Sequence, residues 1–259
     1  MFKDRLRKIY LYRNALWHMA LKNLKSKYSS SVLGLYWAII NPLLIMLAVS
    51  FVFSIIFKTE INKFPFFVLS GIFPWLFFST AISESTASIL NQQGILRQFN
   101  LPKEIIPLST VLSNFLNFLI GWIVIYPLFV FLNPGIISMF PWLIIILILN
   151  LIFICGLSLI LSILNVLFRD IGQLLGFVLM LWVWVTPIFY SVDMVPQEFK
   201  WVCGINPLTP FIVYYREIIF FGKAPSLFLV FSVSILSISS LLAGLMVFSR
   251  LESNLLKRI

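Results

Sequence analysis

Long apolar runs alternate with short polar breaks along this chain, at roughly 33–57, 65–89, 105–132, 140–166, 171–190 and 226–249. Each approaches or exceeds the ~20 residues that carry an α-helix across ~30 Å of hydrocarbon. The pattern predicts six transmembrane helices. Pro42, Pro74, Pro127 and Pro187 fall inside these runs or near their ends. Membrane helices tolerate such prolines because neighbouring helices satisfy the freed carbonyls.

Two segments outside the runs carry their own pattern. In residues 1–32, Ile9, Tyr12, Leu16, Met19 and Ala20 recur at helical spacing, while Asn14, His18, Lys22 and Lys25 fall on another face. That periodicity predicts an amphipathic helix lying in the membrane interface, stopped by Ser29, Ser30 and Ser31. Residues 191–225 hold the apolar stretch Phe211–Phe221, too short to span, with Pro196, Pro207 and Pro210 around it. This predicts a broken helical hairpin that re-enters the outer leaflet before the last span. The expected fold is therefore an all-α integral membrane protein in a single domain over 1–259. It divides into the interface helix (1–32), a six-span bundle (33–249) and a tail (250–259).

Composition strengthens the membrane reading. Hydrophobic residues make up 61% of the chain and charged ones 11%, with a mean hydropathy of +1.02. A soluble domain of this size shows far more charge. The net charge of +10 gathers beside the spans, so anionic lipid headgroups, not nucleic acid, are its natural partner. Residues 1–32 hold eight of the nineteen Lys and Arg. With both termini inside, the inner segments carry fourteen basic residues and the outer segments five, counting Arg216 among the outer ones. The positive-inside rule then puts both termini in the cytosol. No basic start with a compact apolar core and a small-residue cleavage site marks a signal peptide. Cys155 lies mid-span and Cys203 in an outer loop, too far apart for a disulfide.

Catalytic chemistry has little to build on. The one histidine, His18, reads as a polar-face residue, and two separated cysteines with one histidine exclude a zinc site. There is no H-E-x-x-H, G-x-S-x-G or G-x-x-x-x-G-K-[ST] motif. The expectation is no catalytic residue, no metal and no cofactor in this chain. Glu84, near the inner end of the second span, is the main membrane-embedded acid, and a lone carboxylate makes no proton relay. Uphill transport would have to draw its energy from another chain.

Three short motifs carry a resemblance. Leu33-Gly-Leu-Tyr-Trp-Ala-Ile-Ile-Asn-Pro-Leu43 opens the first span, Phe168-Arg-Asp-Ile171 closes the loop before the fifth, and Asn206-Pro-Leu-Thr-Pro210 precedes Arg216. In this order the chain resembles the permease subunit of ABC-2 type exporters, in the branch that moves polysaccharides such as O-antigen, capsule and teichoic acid. The resemblance implies a half-transporter in the cytoplasmic membrane: two copies of this chain with two separate ATPase subunits, which hold ATP and Mg. It implies a lipid-linked glycan as substrate. ABC-2 export of a drug or another lipid is the nearest alternative. A membrane-bound polyprenyl-lipid transferase would need more acidic inner loops than Glu104 and Asp170 provide.

The family's conduit, formed by spans one and five of both copies, directs attention to their aromatic residues. Tyr36, Trp37 and Phe51 in the first span and Phe177, Leu181 and Trp184 in the fifth are the expected wall, since rings offer a glycan a stacking face. A second face of span five carries Val178, Trp182 and Val185. Residues 91–104 stand where the family places a coupling helix, with Ile95, Leu96, Arg97, Phe99 and Leu101 as contacts to the ATPase. Lys22, Lys25 and Lys27 are expected to attract headgroups or the substrate's pyrophosphate. Arg169 and Asp170 read as a loop ion pair, a helix cap or an ATPase contact, and Gly34 as a site of close helix approach.

Overall fold

The computed structural model describes residues 2–29, 31–56, 58–59, 61–99 and 101–255. Among them every regular element is helical. Two helices, α1 (Phe2–Leu11) and α2 (Arg13–Tyr28), precede the bundle. The predicted interface helix is thus two helices, broken at Tyr12. α2 runs along α6, and Ala20 is fully buried there.

Five helical stretches are long and apolar enough to cross a membrane: Gly34–Ile56, Phe64–Asn91, Ile105–Leu132, Pro134–Leu167 and Leu227–Glu252. They contain α3 (Trp37–Ser50), α4 (Phe64–Asn91), α6 (Ile105–Leu132), α7 (Phe140–Leu167) and α11 (Leu227–Leu255); between α4 and α6 sits the short α5 (Gln93–Gln98). The predicted fifth span appears as α8 (Ile171–Val185), 15 residues long. At 1.5 Å per residue it reaches about 22 Å, short of the ~30 Å hydrocarbon. The run expected to continue to 190 stops because Thr186 precedes Pro187. A residue before proline is pushed out of the helical region, and Thr186 is extended at φ −82°, ψ 134°.

The first span begins with a bend. Gly34 takes φ +50°, and a Cβ built on it would meet nothing within 4 Å. Glycine is needed there for the left-handed backbone, not for the close helix approach expected from the sequence. A 3-10 turn (Gly34–Tyr36) leads into α3, which ends in a single π-helical turn (Phe51–Ile56).

α4 is the hub, buried on nearly every side, and α3, α6, α7, α8 and the later helix α10 (Thr209–Ile219) all pack against it. Its phenylalanines interlock with the neighbours: the Phe77 ring stacks on Phe118 of α6 at 4.6 Å, and Phe73 meets the same ring at 4.7 Å. Helices α7 and α11 form the closest seam. A Cβ on Gly156 would fall 2.2 Å from the Ser240 carbonyl carbon, so only glycine lets the backbones meet. Across it the Ser237 and Ser240 hydroxyls donate to Leu149 O and Phe153 O, each at 2.8 Å. Small residues and serine hydroxyls at a helix crossing are the usual means of association where lipid is as apolar as leucine.

Residues 191–225 fold into α9 (Lys200–Ile205) and α10 (Thr209–Ile219). α10 sinks among α4, α7 and α11, with Phe211, Ile212, Tyr214, Tyr215 and Ile218 buried. Arg216 therefore is not the outer-loop charge assumed in the sequence count. It is 4% exposed, lies 3.7 Å above the Phe67 ring, and donates to Ile188 O at 2.9 Å and Tyr190 O at 3.4 Å.

Candidate functional site

α3, α8 and α11 are the apolar helices that the protomer covers least. α8 buries one strip, Leu175 and Leu179, with Trp182 partly buried beyond them. The spacing of four and then three residues is one helical face. The opposite face is bare: Phe177 is 63% exposed, Leu181 52% and Trp184 59%. On the first span Tyr36, Trp37 and Phe51 are exposed as well. All six sequence-predicted wall residues are thus exposed, although Trp184 also touches the Phe189 ring at 5.2 Å and Trp37 lines a recess of its own protomer with Phe73 and Phe77. Of the second predicted face, Trp182 turns inward against Trp75 and Phe78.

So sparsely packed a helix needs an anchor, and Asn206 supplies it. Its Oδ1 accepts from Trp182 Nε1 and from Leu208 N, both at 3.0 Å. Its Nδ2 donates to Thr186 Oγ1 at 3.0 Å, and the threonine hydroxyl donates in turn to Trp182 O at 2.8 Å. The Asn-Pro-Leu-Thr-Pro motif therefore ties the end of α8 to the turn before α10.

A polar cluster sits where α2 reaches the bundle. Lys27 Nζ donates to Glu84 Oε1 at 2.7 Å and to Asn114 Oδ1 at 3.0 Å. Asn114 Nδ2 closes the triangle, donating to Glu84 Oε2 at 2.7 Å and to Thr110 O at 3.0 Å. The neighbouring Tyr28 hydroxyl donates to Asn117 Oδ1 at 2.6 Å. Burial holds the Tyr28 phenol above its ordinary value, with the Glu84 charge adding to the rise and the Asn117 bond opposing it. It is therefore a donor at neutral pH. Of the three lysines singled out in the sequence, Lys22 and Lys25 are exposed, and Lys27 is the one engaged. A cavity of about 310 Å³ opens beside this cluster.

A second charge cluster joins the chain's ends to the bundle: Arg5 pairs with both Glu104 and Glu252, and Lys103 lies 4.0 Å from Glu252. Close by, α5 forms a short helix at the predicted coupling position. Leu96 turns inward against the cluster of Ile89, Ile106, Leu159 and Ile163, whereas Phe99 is 59% exposed. Ile95 and Leu101 are half-buried, and the Arg97 side chain lies outside the described residues. In the loop before α8, Arg169 and Asp170 are exposed, and Asp170 makes no side-chain cap. Asn165 holds this loop instead, accepting from Gly172 N at 2.9 Å and donating to Thr86 O at 3.1 Å.

At the other end of the bundle, α10 and α11 border a larger cavity of about 1070 Å³, lined by both charged residues such as Asp193, Glu217 and Lys223 and apolar ones such as Phe228 and Leu236. Cys203 lines it and is otherwise buried; Cys155 and Cys203 are both free thiols. No cluster of three or more His, Cys, Asp or Glu side chains suited to a metal occurs among the described residues. Sequence reasoning missed Asn114, Asn117 and Asn165, and set Trp182 on a second face without its partner Asn206. The only sequence signal for the three asparagines was an amide inside an apolar run, where an unsatisfied polar group is costly.

The ABC-2 type transporter family profile matches residues 14–220. The chain is 34% identical over 235 residues to an "O-antigen export system permease protein RfbA" of Klebsiella pneumoniae, covering 89% of both chains. It is 28% identical over 229 residues to the protein of the same name in Myxococcus xanthus, covering 85% of each. A more distant likeness, 23% over 209 residues, links it to the "Polysialic acid transport protein KpsM" of Escherichia coli, covering 78% of this chain and 80% of that one.

Proposed function

The chain belongs to the ABC-2 type transporter family, and on that premise we propose that it is the membrane permease of an ATP-driven exporter of a lipid-linked polysaccharide. It is a transport subunit, multi-pass in the membrane, and ATP hydrolysis belongs to a separate subunit. The O-antigen and polysialic acid systems among its relatives handle polysaccharides, which sets the substrate class.

One observation carries the reading furthest: the aromatic residues of the first span and of α8 are largely exposed within the protomer. Two copies related by a two-fold axis bring these faces together, because a closed symmetric pair sets one patch against its own copy. Tyr36, Trp37, Phe51, Phe177, Leu181 and Trp184 then form a wall of ring faces with few fixed charges. Such a wall lets a glycan slide without being held by ions.

The rest of the chain takes its role around that conduit. α8 crosses as the fifth of six spans, its 15 helical residues completed by the buried Thr186–Phe189 return. Both termini lie in the cytosol of a cell whose inner membrane holds the bundle, and α9–α10 dips in from the outer side as a re-entrant hairpin. α1 and α2 lie along the cytosolic interface, with Lys22 and Lys25 on lipid headgroups and Lys27 toward the substrate's pyrophosphate. α5, with Ile95, Arg97, Phe99 and Leu101 around it, fits a cleft on each of two ATPases, which carry the ATP and Mg. The chain forms one permease domain, with 1–32 and 250–259 flanking the bundle.

Deletion of the gene tests this. Lipid-linked polymer should accumulate on the cytosolic face and vanish from the cell surface, and the intact chain supplied in trans should restore it. Unchanged surface polysaccharide in the deletion strain would remove the substrate assignment.

A further inference from the structure

The cavity of about 1070 Å³ between α10 and α11 has two kinds of lining. Much of its apolar part is one stripe of α11: Phe228, Leu229, Ile235 and Leu236, with Ser232 between them. These positions recur every three or four residues, so they share a face. At 1.5 Å per residue the stripe runs about 12 Å down the helix from its first turn. α11 is long and apolar enough to cross the membrane, so the stripe follows the membrane normal, as a lipid tail does. The protomer leaves it open, with Phe228 82% and Ile235 64% exposed.

The charged part is two carboxylates, Asp193 and Glu217, and two cations, Arg216 and Lys223, which sum to zero. None of the four is in an ion pair among the described residues. Asp193 and Lys223 are exposed, Glu217 is half-buried and Arg216 is buried. Three buried atoms of this lining, Thr209 Oγ1, Arg216 Nε and Glu217 Oε2, have no hydrogen-bond partner among the described residues. A buried polar atom left so costs about 1–3 kcal/mol, and a buried charge without a counter-ion costs more. Water serves the polar groups but not the stripe. A ligand that carries both charges and a tail serves both.

We propose that the cavity holds one zwitterionic phospholipid of the phosphatidylethanolamine type, from the leaflet at this end of the bundle. Its phosphate is drawn by the two cations, its ammonium by the two carboxylates, and one tail lies on the α11 stripe. The balanced charge of the lining gives an anionic lipid no advantage. An ammonium has three N–H donors for carboxylate oxygens in charge-assisted bonds, whereas the methylated headgroup of phosphatidylcholine has none. The volume stands at the top of the ~300–1,000 Å³ range of ligand pockets, room for a headgroup and the upper part of a tail. The lining shares no residue with the conduit wall or with the Lys27 cluster, so the site does not depend on which glycan is moved. The lipid closes the gap between α10 and α11.

The test titrates the delipidated permease–ATPase complex in detergent with phosphatidylethanolamine, phosphatidylcholine and phosphatidylglycerol of identical acyl chains, read by native mass spectrometry. Phosphatidylethanolamine should bind about tenfold more tightly than the other two, at one site per permease chain. Glu217→Gln with Asp193→Asn should bring it down to the level of phosphatidylcholine, leave phosphatidylcholine unchanged and strengthen phosphatidylglycerol. Lys223→Gln should weaken phosphatidylethanolamine and phosphatidylcholine alike, about tenfold. Ser232→Trp fills the stripe and should lower retention of all three lipids while the mass of the complex stays the same. Phosphatidylglycerol binding as tightly as phosphatidylethanolamine in the intact complex would overturn the proposal. So would a phosphatidylethanolamine preference that survives loss of both carboxylates, or full retention in Ser232→Trp. A Ser232→Trp complex that falls apart would show that a second copy or another protein covers the stripe, and would overturn it as well.

Discussion

Asn206→Ala should loosen α8 more than any other single truncation outside its buried strip. The change removes three hydrogen bonds of 3.0 Å each, to Trp182, Leu208 and Thr186. Asn206, Leu208 and Thr186 are 6%, 3% and 0% exposed, so water does not replace what is lost. A hydrogen bond inside a membrane protein contributes about 0.6 kcal/mol on average, and one to a buried group up to ~1.5 kcal/mol. Three of them give a loss of about 2–4.5 kcal/mol. Trp182→Phe removes one bond and keeps a ring against Trp75 and Phe78, so it should cost about 1 kcal/mol. Because both changes break the same Trp182–Asn206 bond, the double variant should cost less than the sum, by about 1 kcal/mol. Reversible unfolding in mixed SDS micelles measures all three. A loss below ~0.5 kcal/mol for Asn206→Ala, or strict additivity in the cycle, would refute the anchoring role.

Three further outcomes follow from the packing and the surface. Gly156→Ala sets a Cβ against the Ser240 backbone, which no rotamer change relieves; with Ser237 and Ser240 pulled from their acceptors, stability should fall by about 2–4 kcal/mol in the same unfolding assay. Phe99→Asp with Leu101→Asp should release the ATPase on purification while the permease stays folded, and a complex that remains bound and stimulated would place the dock elsewhere. For topology, a membrane-impermeant thiol reagent on intact cells should label a cysteine at the exposed Lys58 position and spare one at the exposed Gln98 position until the cells are permeabilised. Native Cys203 is too buried to report, and labelling at position 98 in intact cells would overturn the orientation.

Hydropathy made the spans legible because length and apolarity alone decide which helices can cross. The runs expected at 105–132 and 140–166 coincide with α6 and with α7, which ends at Leu167. The end of α8 was written in Thr186-Pro187, but as a local steric rule that a hydropathy run overrides. Which face of each helix is buried was not legible, since a membrane helix is apolar all round and shows no period to read. Nor were the pairings that build the site: Lys27 meets Glu84 and Asn114 across 57 and 87 positions of chain. Arg216 misled for the same reason. Its neighbours in sequence are an apolar stretch too short to span, which left it counted among the outer charges, while its partners Phe67, Ile188 and Tyr190 come from elsewhere in the chain. For the aromatic wall, Phe177, Leu181 and Trp184 could be grouped on one face by spacing, but their exposure depended on Trp182 being the residue drawn inward.

Glycan export by Tyr36→Ala and Trp184→Ala permeases tests the conduit most directly. Both side chains are exposed, Tyr36 at 69% and Trp184 at 59%, so truncating them removes little packing within the protomer. The account predicts that surface polysaccharide falls while the complex with the ATPase assembles and its basal ATP hydrolysis continues. Normal export in both variants, or loss of assembly in step with loss of export, would contradict it and return these rings to lipid or to packing.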